Sequence, residues 1–332
     1  MSSLSTTDAD QVAQDRWASA AEVHAAFADW VNDQAWLLEP PGQGATWKRW
    51  TALAEVARSD LAFARLVEGH ADATAILAEA GQRPRTPGPY GVWASQGSGP
   101  RVTAERTPTG WRFEGQKAFC SGAGMLERAL VTAEAPDGPR LFDLDVRGVE
   151  VVPGSWPAVG MSRADSPTVT FAGVASSRDE VGPPGFYTRR IGFWWGAAGV
   201  AACWWGGARG LVETLGLALR HGHPDDHQLA AFGTAVCRIR GMQEGLRWAA
   251  GRIDERPDDL GEARRVACIV REIVHDGCSD VLGRAASAGG ARPICLDPAQ
   301  SRRSADLYAY LAQHHGGRDA AAVGRELLDL PG

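Results

Sequence analysis

The densest chemical character in the chain lies in GWRFEGQKAFCSGAG, residues 110–124. Lys117, Phe119, Cys120 and Ser121 run directly into Gly122, Ala123 and Gly124. A bulky aromatic, a hydroxyl and a small-residue turn can simply reverse the chain, with Phe119 in a core. They can also bring backbone close to a flat ligand, because residues without large side chains allow near approach. A second group is His314-His315. Neutral imidazole titrates in the range a general base needs; the plainer reading is an exposed helix end, where cations suit the dipole. His221, His223 and His227 with Asp225 and Asp226 have the composition of a metal site. Gly222 and Pro224 make that stretch an interhelix loop, which argues against ligands gathered on one helix face. Arg189-Arg190 could meet a phosphate or acidic substrate, though paired arginines are most often solvated. Cys120 reads more readily as a small apolar spacer than as a redox group.

These residues need elements to position them. Residues from about 8 to 80 read as helix: Val23, Phe27, Trp30 and Val31 recur at three-to-four spacing, and a further helix starts after the capping pair Ser59-Asp60 and closes at Gly81. GQRPRTPGPYG, with three prolines and three glycines, stops the helical run. Residues 91–182 then carry short strand-like runs bounded by Gly, Pro, Asp and Ser, with RVTAERTPTGWRFEG as a hairpin turning at Pro108-Thr109-Gly110. Pro183-Pro184-Gly185 ends that region, and four helices follow at about 188–220, 226–254, 261–287 and 301–328. The expected architecture is α+β and multidomain. It has an N-terminal helical domain (1–85), a central β-barrel or sandwich (86–185) and a C-terminal four-helix bundle (186–332).

Composition narrows the classes. The net charge of −6 offers no basic footprint for nucleic acid. No apolar run is long enough to span a bilayer and the N-terminus lacks the features of a signal peptide. Six cysteines without CxxC spacing point to reduced thiols in a cytoplasmic protein. Thirteen tryptophans, including the doublets Trp194-Trp195 and Trp204-Trp205, suit helix packing or a flat-ligand pocket. Trp194, Ala198, Ala201 and Trp205 mark one helix face, as bundle core or as a pocket wall.

Three segments, in order, resemble motifs of the acyl-CoA dehydrogenase superfamily. Gly115-x-Lys117-x-Phe119-Cys120-Ser121 is similar to its G-x-K-x-W-I-T segment. Trp93-Ala94-Ser95-Gln96-Gly97-Ser98 resembles a shortened flavin-lining loop, and Val159 to Phe171 resembles its following loop and strand. The resemblance implies FAD held by Trp93, Ser95, Gln96, Ser98, Phe119, Cys120, Ser121 and Arg303, with Phe119 as wall and Ser121 at the flavin's polar edge. It further implies an acyl substrate as a CoA or carrier-protein thioester, an electron-transfer partner, and a homodimer or homotetramer.

The chain also departs from that pattern. No Glu occurs from Ser301 to Arg325 or from Phe186 to Arg209, the two places where the family carries its base. Leu229 and Ala286 stand where the family has an Arg and a Gln that hold the dinucleotide. Oxidising an acyl thioester needs a base in reach of the α-proton, so His314 and His315 become the candidates. Two other expectations stay open beside this one. One is a flavin monooxygenase on the same fold, which needs no such Glu; the other is a degenerate homologue that serves as a binding or scaffold subunit.

Overall fold

The computed structural model describes residues 19–33, 39–95, 99 and 101–328. Three helices open it: α1 (Ala20–Asp33), α2 (Thr46–Ser59) and α3 (Leu61–Glu79). Of the helical region expected over 8–80, residues 8–18 and 34–38 lie outside those described; Pro40-Pro41-Gly42 precede α2, and the helix expected to start after Ser59-Asp60 is α3. Asp60 sits in extended backbone and accepts the Phe63 amide at 2.9 Å, capping α3 while α2 ends just before it. Gly81 closes α3 in the left-handed region, φ 69°. Val23, Phe27 and Val31 bury the apolar face of α1, and Trp30 stacks on Phe27 at 6.1 Å.

The strands are β1 (Tyr90–Trp93), β2 (Val102–Thr107), β3 (Gly110–Lys117), β4 (Arg128–Ala135), β5 (Gly138–Asp145), β6 (Glu150–Val151), β7 (Val169–Ser176) and β8 (Glu180–Val181). They form one mixed sheet in the order β6-β7-β3-β2-β4-β5-β8, with β1 lying parallel on β4. The β2–β3 hairpin pairs Thr107 with Gly110, as the turn residues indicate. The sheet does not close, which corrects the expectation of a barrel. The edges β6 and β8 are two residues each and pair only with β7 and β5. Such short edges offer too few backbone groups to be joined to one another. The face carrying Tyr90, Leu130 and Leu141 instead packs under Ala73, Ile76 and Leu77 of α3. Elsewhere Trp111, Phe113 and Phe142 interlock edge to face at 4.8–5.4 Å.

After the short α4 (Phe186–Arg189) come the long α5 (Gly192–Arg220), α6 (Asp226–Glu255) and α7 (Leu260–Gly289). The fourth helix expected over 301–328 is two, α9 (Pro298–Leu311) and α10 (Gly316–Leu327), preceded by α8 (Ala291–Leu296). Gly316-Gly317 follows the break, and two glycines propagate a helix poorly. α5 packs on α2 as well as on α6 and α7, so the C-terminal helices do not form a bundle of four on their own. Gly206 and Gly210 make that contact close: a Cβ at either would lie 2.2 Å from Ala54 O or 2.4 Å from Arg58 O. Ala198, Ala201 and Trp205 of α5 are buried core, and the Trp205 indole donates to Ile239 O. Among the described residues no helix is long and apolar enough to cross a membrane, and no His/Cys/Asp/Glu group is placed to hold a metal.

Candidate functional site

β3 delivers Lys117 to the end of the sheet, where the chain turns through Phe119 at φ 62°. A non-glycine residue there costs about 1–2 kcal/mol. Among the described residues the other non-glycines at positive φ are Met161 and Asp165, both in the loop on which the turn docks. Cys120 N donates to Pro167 O at 3.0 Å, and Gly122 N donates to Asp165 O at 2.9 Å. Left-handed backbone concentrated in two touching loops is strain of the kind that accompanies functional sites.

The consequence is the position of Phe119. Its side chain is turned outward, and the residue is 60% exposed. The Trp156 ring meets it edge-on at 6.2 Å and 84°, and the Trp156 indole donates to Met161 O. Beneath the turn, buried Trp93 donates its indole N–H to Ser121 O at 3.1 Å. The Ser121 and Ser166 hydroxyls are 2.9 Å apart. An exposed and a half-buried aromatic ring thus adjoin a small-residue turn whose Ser121 is half-buried and whose hydroxyl partner Ser166 is buried.

Arg163 anchors that surface to the helices. Its guanidinium bridges Asp60 at 2.6 Å and Asp306 on α9 at 3.1 Å, all three groups being nearly sealed from solvent. Asp306 also accepts the Met161 amide. Burial raises the Asp306 pKa, against the lowering pull of the Met161 amide and Arg163. At Gly160 a Cβ would lie 2.1 Å from Ala305 O, so α9 presses directly on the loop. Lys117 fastens the other side, its Nζ donating to Thr132 Oγ1 at 2.8 Å and to Ser95 O at 3.3 Å. Burial lowers its pKa to about 8.

Trp93, Phe119, Cys120 and Ser121 thus come together, with Ser95 joined to them through Lys117; Gln96 and Ser98 lie outside the described residues. Cys120 contributes backbone rather than thiol: its Sγ is buried against Lys117 O and its pKa is pushed up to about 12 by burial. Arg303 lies one turn before Asp306 on α9 and donates to Arg58 O at the end of α2. His314 packs against α7, away from the turn. Its Nε2 pairs with Glu272 at 2.8 Å, its ring faces His275 at 4.5 Å, and its buried Nδ1 meets no hydrogen-bond partner among the described residues. Burial, aided by the charges of Arg271 and His275, lowers its pKa against the raising pull of Glu272. His315 is exposed. Residues that the sequence reading did not assign are Trp156, Ser166, Lys117 and the Asp60–Arg163–Asp306 bridge. The tryptophan content was the one signal toward Trp156; partners 103 and 143 residues apart left none for the bridge.

FMN-bound TdsC from Paenibacillus sp. A11-2, a dibenzothiophene monooxygenase, superposes with a TM-score of 0.76 over 97% of this chain and 98% of that one, at 21% identity. KijD3 in complex with FMN and a dTDP-linked amino-keto sugar gives 0.79 over 98% and 92%, at 16%. Methanesulfinate monooxygenase MsuC from Pseudomonas fluorescens gives 0.76 over 99% and 98%, at 17%. This is the acyl-CoA dehydrogenase-like fold. In that fold the turn at Phe119 and the loop at Met161–Asp165 form one wall, held between the sheet and α9. No protein-family model and no curated protein sequence matches the chain.

Proposed function

We propose that the protein is a flavin-dependent monooxygenase whose isoalloxazine lies on the surface made by Phe119, Trp156, Ser121 and Ser166. The observation that carries this reading is the exposed Phe119, held outward on left-handed backbone beside an edge-on Trp156. An exposed aromatic on strained backbone lacks a cover, and a flat ring system supplies one. The residues fit such a group: Phe119 and Trp156 give the apolar contact, the hydroxyl pair meets a polar edge, and Gly122 and Ala123 keep backbone low. Flavin, when bound, supplies electron transfer and reaction with oxygen. The chain's part is to hold the ring, orient it through Ser121 and exclude water with the two aromatics. FMN suits the chain better than FAD, because Leu229 and Ala286 replace the polar holds that the family resemblance assigns to the dinucleotide; Leu229 is 48% exposed on α6.

Oxygenation is favoured over acyl-thioester oxidation by the state of two carboxylates behind the wall. Asp60 and Asp306 are both paired with Arg163 and sealed from solvent, so neither presents its carboxylate to a ligand on the wall. Three structurally similar proteins are a dibenzothiophene monooxygenase, KijD3 with FMN, and a methanesulfinate monooxygenase. Acyl-thioester oxidation, which needs a base, is the second reading, but the His314 side chain is buried on Glu272 and does not present Nδ1 to the wall. Exposed apolar side chains on α6 to α9, among them Trp248, Ile273, Leu296 and Tyr308, suit a homodimer or homotetramer. Six unpaired cysteines suit a reducing, cytoplasmic setting.

Absorbance in the flavin bands after incubation with FMN and removal of excess tests the cofactor. A protein that stays colourless with both FMN and FAD would sink both enzyme readings and leave the binding-subunit reading. With flavin bound, anaerobic bleaching by an acyl-CoA would favour dehydrogenation. Substrate-dependent oxygen consumption from the reduced enzyme would favour oxygenation.

A further inference from the structure

No residue of α10 is buried, so little apolar burial holds this helix in place. It packs on α7, and its polar ties run antiparallel along that helix. His314, just before α10, pairs with Glu272. The Asp319 charge acts on buried Arg271 and Cys268, and Glu326 pairs with Arg265 at 2.7 Å. α9 ends at Leu311 and α10 begins at Gly316, so the four residues between them form a hinge with His314 inside it.

The His314 side chain is sealed in this hinge, 2% exposed. At Gly316 a Cβ would lie 2.8 Å from His314 Nε2 and 2.9 Å from Glu272 Oε2, so the first turn of α10 closes over the pair. A carboxylate only accepts, so Nε2 carries the imidazole proton and Nδ1 is a bare lone pair. Nδ1 is buried and meets no partner among the described residues. A second proton would create a buried N–H without an acceptor and add a buried charge, and both are costly.

The surroundings oppose that charge more than they favour it. α7 brings Arg271 and His275 as well as Glu272; the His275 ring lies 4.5 Å away, and its Nδ1 is 3.3 Å from Asp276. α5 brings the Trp204 ring, and α9 brings Tyr310 on the same ring, its hydroxyl pKa pushed further up by burial. The first turn of α10 brings Arg318 and Asp319, which pair with each other. Burial is the largest of the causes that lower the His314 pKa. With α10 undocked, the imidazole would meet water and titrate near its ordinary value. Acid therefore favours the undocked hinge.

We propose that His314 is an acid-released latch: protonation of its sealed imidazole frees α10 from α7 while the rest of the fold stays closed. The latch lies away from the wall at Phe119, so it stands or falls independently of flavin.

Hydrogen exchange of the full chain at pH 7.5 and 5.5, corrected for intrinsic rates, tests it. Amides of residues 317–327 should lose protection at the lower pH by at least about threefold. The ceiling is about tenfold, the ratio set by an undocked imidazole titrating near pH 6.5. Amides in the middle of α5 and α7 should keep their protection. His314→Gln should give α10 the same protection at both pH values, because Gln donates to Glu272 but takes no proton. Should that variant not dock α10 at pH 7.5, a pH series on the unsubstituted chain carries the test. The loss must then set in as pH falls through about 6.5, with near-ultraviolet circular dichroism unchanged. Equal protection at both pH values, a loss that persists in His314→Gln, or a loss shared by α5 and α7 would each overturn the proposal.

Discussion

Phe119→Gly separates strain from packing. An aromatic exchanged for glycine in a core costs about 3–5 kcal/mol. Phe119 should behave otherwise, for reasons visible around it. Its φ of 62° costs about 1–2 kcal/mol that glycine does not incur. Against this stand the greater backbone entropy of glycine, about 0.5–1 kcal/mol, and the edge contact with Trp156, about 0.5–1 kcal/mol for a ring as exposed as this. The terms nearly cancel, so the flavin-free protein should change in stability by less than about 1 kcal/mol in either direction. Flavin binding should weaken at least tenfold, because the ring loses one of its two aromatic contacts. Urea unfolding with a fixed m-value reads the first quantity and fluorescence titration with FMN the second. A loss of more than about 2 kcal/mol would show that Phe119 is a packing residue; undiminished FMN affinity would show that the wall lies elsewhere.

Arg163→Met leaves two buried carboxylates facing each other and should cost about 3–5 kcal/mol in urea unfolding, with loss of flavin affinity. Lys117 has a folded pKa of about 8 against an ordinary value near 10.5, so the unfolded chain binds more protons between those values. Stability should therefore rise from pH 8 to 10.5, by up to about 3 kcal/mol, and Lys117→Met should flatten that rise. For His314, whose pKa is lowered, the same reasoning makes stability fall as pH drops below about 6.5. His314→Gln should remove that fall; if turnover of an acyl thioester is also unchanged, His314 is not the base.

The order of helical, strand-rich and helical regions was readable in the chain because each rests on local causes. Asp60 caps α3, Gly81 closes it, Pro108-Thr109 turns the hairpin, and the apolar spacing of α1 needs no distant partner. The turn after β3 was readable from its small residues, Gly122 among them in left-handed backbone. What lay beyond the sequence was everything set by contacts between distant residues. The failure of the sheet to close depends on which strands become edges. The committed state of Asp60 and Asp306 depends on an arginine more than one hundred residues from either. The outward Phe119 depends on the docking of its turn on a loop that holds two further residues, Met161 and Asp165, in left-handed backbone. Local propensity fixes φ and ψ a few residues at a time; only the folded chain decides which buried charge meets which.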